Sequence, residues 1–174
     1  MTEKVILVDA NDREIGEMAK MEAHLKGKLH RAFSVFIFNT TGELLLQQRA
    51  EDKYHSAGKW TNTCCSHPRP GEETLAAANR RLMEEMGLKC DVKHVFSFQY
   101  LAEVTEQGLI ENEYDHVFFG ESDQIPAINP AEVSAYKYAK MDELSHDIKI
   151  NPDRYTEWLK ICFDRVQEQY SRLY

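Results

Sequence analysis

An α/β (α+β) fold, a single domain over residues 1–174 with mixed β-sheets sandwiched between helices, is predicted by three observations. Runs of β-branched and aromatic residues separated by turn residues form two hairpin-like pairs. Two stretches, residues 72–88 and the segment from Asp153 onward, repeat apolar residues at helical spacing. With 174 residues, 43% of them hydrophobic, the chain can bury one core without disulfide staples.

Val5 to Val8 reads as a short strand, and Arg31 to Asn39 as a buried one. Thr40 to Glu43 is then a turn, and Leu44 to Arg49 returns as a strand that ends on a basic residue. Lys53 falls on the loop beyond. Leu75, Ala78, Leu82 and Met86 mark the apolar stripe of a helix that Gly87 stops, with Arg81 and Glu85 one turn apart on another face. Val92 to Glu103 and Leu109 to Gly120 form the second hairpin, and Val133 to Ala139 is a further strand. Asn151-Pro152 announces the closing helix, whose stripe runs through Tyr155, Trp158, Leu159, Cys162, Val166 and Tyr170. No repeat, low-complexity run or Gly/Ser linker divides the chain.

Two of the four cysteines, Cys64 and Cys65, are neighbours, which does not suit a disulfide framework, and no secretory signal precedes them. A reducing, cytoplasmic setting is therefore expected. The apolar runs are far shorter than a bilayer span, and a net charge of -8 opposes general affinity for nucleic acid or anionic membrane. The expected partner is a small molecule bound by a monomer; an anionic one needs a local basic pocket. The stretch Thr61 to Glu72, with two cysteines ahead of His67 and Gly71-Glu72, is compatible with a metal site, a buried bend or a catalytic thiol.

Ser66 to Leu88 resembles the Nudix box, G-x5-E-x7-R-E-U-x-E-E-x-G-U, where U is a bulky aliphatic residue. Glu72, Arg80, Leu82, Glu84, Glu85, Gly87 and Leu88 stand on its fixed positions. Such a loop-helix unit aims carboxylates at one point, where hard oxygen ligands hold Mg²⁺ against a diphosphate. Glu84 taken alone reads as part of a solvated helix face. Two positions depart from the pattern: Ser66 replaces the leading Gly, and Arg81 replaces the Glu of the Arg-Glu pair. A metal ligand becomes a cation suited to phosphate, so the site is built to hold a diphosphate rather than to hydrolyse it.

His24, His30 and His67 form a second group with Glu111 and Glu113, which lie two apart on a strand and so share a face. Imidazoles with carboxylates suit a divalent transition metal such as Mn²⁺ or Zn²⁺. The segments from His24 to Ser34, Trp60 to Pro68 and Glu111 to Glu113 are similar to those of the type I isopentenyl-diphosphate isomerases, a branch of the Nudix superfamily. The likeness runs from about Lys20 to Trp158.

The resemblance implies a Nudix fold and an isomerase that shifts a double bond between isopentenyl and dimethylallyl diphosphate in isoprenoid biosynthesis. It implies that His24, His30, His67, Glu111 and Glu113 bind one divalent metal, and that Glu85 binds the Mg²⁺ that meets the diphosphate. By the same resemblance Cys65 and Glu113 are the acid/base groups with Tyr100 beside the glutamate. Lys20, Arg49, Lys53 and Arg81 match the diphosphate contacts, and Trp158 matches an aromatic wall. Read alone, Trp158 and Tyr100 are core aromatics, and Arg49 and Lys53 are surface charges. No flavin is implied. Cys64 has a structural reading, and the closing helix and the segment around Lys20 are candidate lids. The alternatives are a Nudix pyrophosphohydrolase of a nucleoside or prenyl diphosphate, which Arg81 and Cys65 oppose, and a catalytically silent binding module, which would be expected to lose ligand residues.

Overall fold

Strand β3 (His30–Phe38) is buried along almost its whole length because other strands pair on both its edges and helices cover both its faces. The computed structural model describes residues 2–104 and 107–174. In order, the elements around β3 are β1 (Lys4–Val8), β2 (Glu14–Ala19), α1 (Lys20–Lys26), β4 (Leu44–Arg49), β5 (Trp60–Thr61), β6 (Cys64–Ser66), α2 (Thr74–Met86), β7 (Val92–Val104), β8 (Leu109–Glu121), β9 (Val133–Ala139), α3 (Met141–Ile150) and α4 (Glu157–Leu173). A single 3-10 turn, Pro152–Arg154, leads into α4.

The strands join in one mixed sheet. β3 pairs antiparallel with β1, β4 and β6, and parallel with β8 over the register His30↔Glu113 to Phe38↔Glu121. β7 and β8 form the long antiparallel hairpin, and β9 pairs with β4.

Alternation along β3 divides the core. Phe36 and Phe38 face α3 and α4, packing with Leu159, Phe163 and Val166, whereas Val35 and Ile37 face α2, packing with Ala78, Leu82 and Met86. Burying one such aromatic contributes on the order of 1.5–3 kcal/mol. The helices thus sandwich the sheet as expected. One position departs from the predicted stripe of α2: Leu75 is exposed, and the buried face runs through Ala77, Ala78, Leu82, Glu85 and Met86. At the other end Gly87 is left-handed (φ 63°), and a Cβ there would lie 2.6 Å from the Ala127 carbonyl oxygen. No helix among the described residues is long and apolar enough to cross a membrane.

Candidate active site

Register builds the centre of the site. The alternation of β8 turns Glu111 and Glu113 to one buried face. The parallel β3–β8 ladder sets His30 opposite Glu113, and the β7–β8 ladder sets Tyr100 opposite the same residue. His67 follows β6, which β3 also holds. His24 arrives from α1, whose left-handed end at Gly27 packs on Ile110; a Cβ at Gly27 would approach that side chain to 3.1 Å.

Four residues, His24, His30, His67 and Glu113, bring one ligating atom each to within 4.8 Å of one another. His67 Nε2 is 2.8 Å and His30 Nε2 3.3 Å from Glu113 Oε1. The phenol of Tyr100 donates to the other oxygen, Oε2, at 2.6 Å. His30 Nδ1 donates to the Lys28 carbonyl at 2.7 Å, which in the neutral ring leaves Nε2, 3.3 Å from Glu113 Oε1, as the nitrogen free to ligate. That nitrogen and Glu111 Oε1 are buried without a hydrogen-bond partner. Lone pairs facing each other in a dry pocket are costly, and a cation between them removes the cost. Ligands in a shell of about 2.1 Å radius lie roughly 3.0–3.4 Å apart, close to the spacings here. A divalent metal fits this donor set.

Burial sets the protonation of the imidazoles. It lowers His24 to about 3, helped by His67, and lowers His67 as well. Burial thus favours the neutral, ligating form of both rings. Burial pushes Glu113 up, but the imidazoles of His67 and His30 more than reverse this and hold its carboxyl well below the usual range. Glu111 goes the other way, raised by burial and by the charge of Glu113.

Beside this cluster lies a narrow cavity of about 50 Å³ that opens to solvent. Ten of the thirteen residues singled out in the sequence line it: Lys20, Arg49, Lys53, Cys65, His67, Arg81, Glu85, Glu111, Glu113 and Trp158. The other three, His24, His30 and Tyr100, stand behind the lining and contact it. Lys20 pairs with Glu3 at 3.2 Å and lies over the Tyr54 ring. Lys53 pairs with Glu132. Arg49 has no carboxylate within 4.0 Å among the described residues; it donates to the His55 carbonyl and lies 5.4 Å from the Trp158 ring. Trp158 in turn donates its indole N–H to Asn62 Oδ1 at 3.2 Å.

Cys65 borders the cavity from β6, and burial pushes its thiol up to about 12 despite the opposing charge of Arg49. Cys64 points the other way into the core, fully buried against α2. On α2, Arg81 binds Glu85 at 2.6 Å and Glu84 at 2.7 Å, while Gln47 donates to the second oxygen of Glu85. Glu72 receives two bonds from Arg80 and one from the Arg69 amide, which pins the loop to the helix. Its carboxylate serves the loop and does not reach the cavity lining.

His55 was not among the expected site residues. It is buried, with Nε2 3.1 Å from Glu111 Oε1, and with His24 and Glu111 it makes a second group of possible ligands. The only signal in the sequence was an aromatic-histidine pair, Tyr54-His55, on the loop after a basic strand end. Ser34 is a second addition: its hydroxyl lines the cavity and donates to buried Asp115 at 2.7 Å.

Residues 28–159 match the NUDIX domain. A protein of Pectobacterium atrosepticum named isopentenyl-diphosphate Delta-isomerase is 53% identical over 168 residues, covering 97% of this chain and 93% of that one. A Photorhabdus laumondii protein named isopentenyl-diphosphate Delta-isomerase 2 is 54% identical over 177 residues, covering 99% of each. Among solved structures, one from Deinococcus radiodurans superposes with a TM-score of 0.79 at 18% identity over 94% of this chain and 98% of its own. A MutT protein from Methanosarcina mazei gives a TM-score of 0.64 at 20% identity, over 83% and 94%. At such identities these two likenesses concern the fold.

Proposed function

The chain belongs to the isopentenyl-diphosphate Delta-isomerase family of the Nudix superfamily, and on that premise we propose that it interconverts isopentenyl and dimethylallyl diphosphate through a tertiary carbocation. One observation carries this reading: the Cys65 thiol and the Glu113 carboxylate border one cavity together with four basic side chains, Lys20, Arg49, Lys53 and Arg81.

The isomerisation adds a proton at the terminal alkene carbon and removes one from the carbon two bonds away. Atoms and oxidation state are unchanged, so the reaction needs no net oxidant or reductant. It needs one group that gives a proton and one that takes it, with the roles exchanged in reverse. Cys65 holds its proton at neutral pH, and Glu113 has lost its own. Tyr100 orients Glu113 through the 2.6 Å bond and can relay its proton. The π face of Trp158 stabilises a cation by roughly 2 kcal/mol when desolvated. This is small beside the barrier to protonating an alkene, so exclusion of water from the cavity carries more weight: water would trap the cation as an alcohol.

Arg49 is ready to take a phosphate oxygen, and Lys20, Lys53 and Arg81 would exchange their carboxylate partners for the diphosphate. His24, His30, His67, Glu111 and Glu113 would hold one divalent metal, Mn²⁺ or Zn²⁺, and Glu85 a Mg²⁺ shared with the diphosphate. These ions would supply positive charge to anchor the substrate diphosphate. The free thiol suits a reducing, cytoplasmic setting. A single chain supplies every group, so a monomer suffices.

The test is incubation of the purified protein with isopentenyl diphosphate and Mg²⁺. An acid-labile allylic product without phosphate release is expected. Phosphate release without that product would favour the pyrophosphohydrolase, a reading that Arg81 at the Nudix glutamate position already opposes.

A further inference from the structure

Asn62 lies on the loop between β5 and β6, fully buried, and its side-chain amide uses every bonding position it has. Oδ1 accepts from the Trp158 indole at 3.2 Å and from the Thr61 hydroxyl at 2.8 Å. Nδ2 donates to the Cys64 carbonyl at 2.8 Å and to the Val35 carbonyl at 3.1 Å. An indole N–H only donates and a carbonyl only accepts, so these partners fix which way the amide points.

The four bonds join two parts of the site. β6 is three residues long and is held to β3 by three pairs, the last of them Val35 opposite Cys64. The Cys64 carbonyl belongs to the peptide that leads into Cys65, so holding it sets the direction in which the thiol leaves the strand. On the other side, Trp158 stands in the first turn of α4, a helix without a side-chain cap. Thr61 gives its one proton to Asn62, so Thr156, just ahead of α4, donates to Thr61 at 2.8 Å. The start of α4 is thereby tied to the same amide twice. A buried amide is tolerated only when its bonds are made, and a fully satisfied network holds its members in one arrangement.

We propose that Asn62 is a positioning residue for the isomerisation, setting the Trp158 ring against the Cys65 thiol across the cavity that both line. A hydrocarbon cation makes no hydrogen bonds that would orient it, so the spacing of proton donor and aromatic wall is left to the protein. None of the four bonds of Asn62 reaches a basic side chain assigned to the diphosphate. Its loss is therefore felt in turnover and not in anchoring.

The inference rests on the isomerase reading above, and the test separates the two. Trp60 and Trp158 are the only tryptophans in the chain, so Trp60→Phe leaves Trp158 as the sole indole reporter. With and without that change, Asn62→Leu removes all four bonds at similar volume, whereas Asn62→Asp keeps the acceptor for the indole and removes both donors. Asn62→Leu is expected to lose about a hundredfold in kcat, with KM and the affinity for inorganic pyrophosphate within about threefold of wild type. Its Trp158 emission should move to longer wavelength and open to acrylamide quenching. Asn62→Asp is expected to keep the emission and lose about tenfold in kcat through the Cys65 side. Wild-type kcat in a folded Asn62→Leu overturns the proposal, as does a fall in pyrophosphate binding that parallels the fall in kcat, the mark of a merely structural role. Circular dichroism and a thermal melt report folding; where Asn62→Leu does not fold, wild-type kcat in Asn62→Asp overturns the proposal. A wild-type chain that forms no allylic product sinks the isomerase reading instead, and the Trp158 emission still decides whether Asn62 holds the ring.

Discussion

Tyr100 and Glu113 face each other across the β7–β8 ladder, and the phenol donates to Glu113 Oε2 at 2.6 Å. Tyr100→Phe deletes that bond and leaves a buried carboxylate oxygen unpaired, at a cost of about 1–3 kcal/mol. A loss of about tenfold to a hundredfold in kcat is expected, with metal content retained. Steady-state kinetics beside metal analysis checks this; full kcat in the variant would take Tyr100 off the proton path.

The two adjacent cysteines separate by role. Cys65→Ala is expected to abolish turnover and leave the fold intact, since its side chain borders the cavity. Cys64→Ala should keep turnover and cost about 1 kcal/mol of stability, because Cys64 is fully buried in the core against α2. Proton exchange into isopentenyl diphosphate and a thermal melt on both variants decide the matter, and the opposite pattern would reassign the thiol.

Metal-stripped protein should lose stability as the pH falls. Free histidine titrates near 6.5, whereas burial lowers His24 to about 3 and His55 to about 2. Between those values the unfolded chain binds protons that the folded one refuses. The stabilisation is thus complete above about pH 6.5 and lost as pH falls through the folded values, at about 1.4 kcal/mol per pH unit for each group. Glu111, raised by burial and by Glu113, titrates in the opposite sense. Comparing His55→Gln with wild type isolates one imidazole: denaturant midpoints from pH 7.5 to 4 should fall less steeply in the variant, and parallel profiles would contradict the assignment.

Restoring the Nudix carboxylate should harm this enzyme. Arg81 sits among Glu84, Glu85 and Glu132, so Arg81→Glu gathers four carboxylates and deletes a diphosphate contact. KM for the diphosphate substrate should rise on the order of tenfold or more. Arg81→Lys should show a smaller rise, since the charge remains and the planar fork is lost. An unchanged KM in Arg81→Glu would show that Arg81 serves only the helix.

Long, strongly patterned segments were legible without coordinates. β3, β4, the β7–β8 hairpin, α2 and α4 carry apolar residues at strand or helix period because each has one or two faces against the core. Elements whose side chains do not decide their shape were not. β2 reads EIGEMA and is largely exposed, α1 is seven residues with no side-chain cap, and β5 and β6 are strands only because β4 and β3 pair with them. α3 went unread for a similar reason, burying only Leu144 and Ile148.

The same division runs through the site. Residue types at short spacing determined the loop-helix unit with Glu72, Arg80 and Glu85, the thiol two positions before His67, and the paired glutamates on β8, because neighbours along one strand or helix have fixed directions. Which of them meet was decided by tertiary structure. The parallel register of β3 against β8 set His30 against Glu113, and a loop with no periodicity carried His55 to Glu111, 56 positions away in the chain. Periodicity records which face of an element is buried; it holds no information on the register between distant strands or the path of a loop, which packing settles only once the whole core forms.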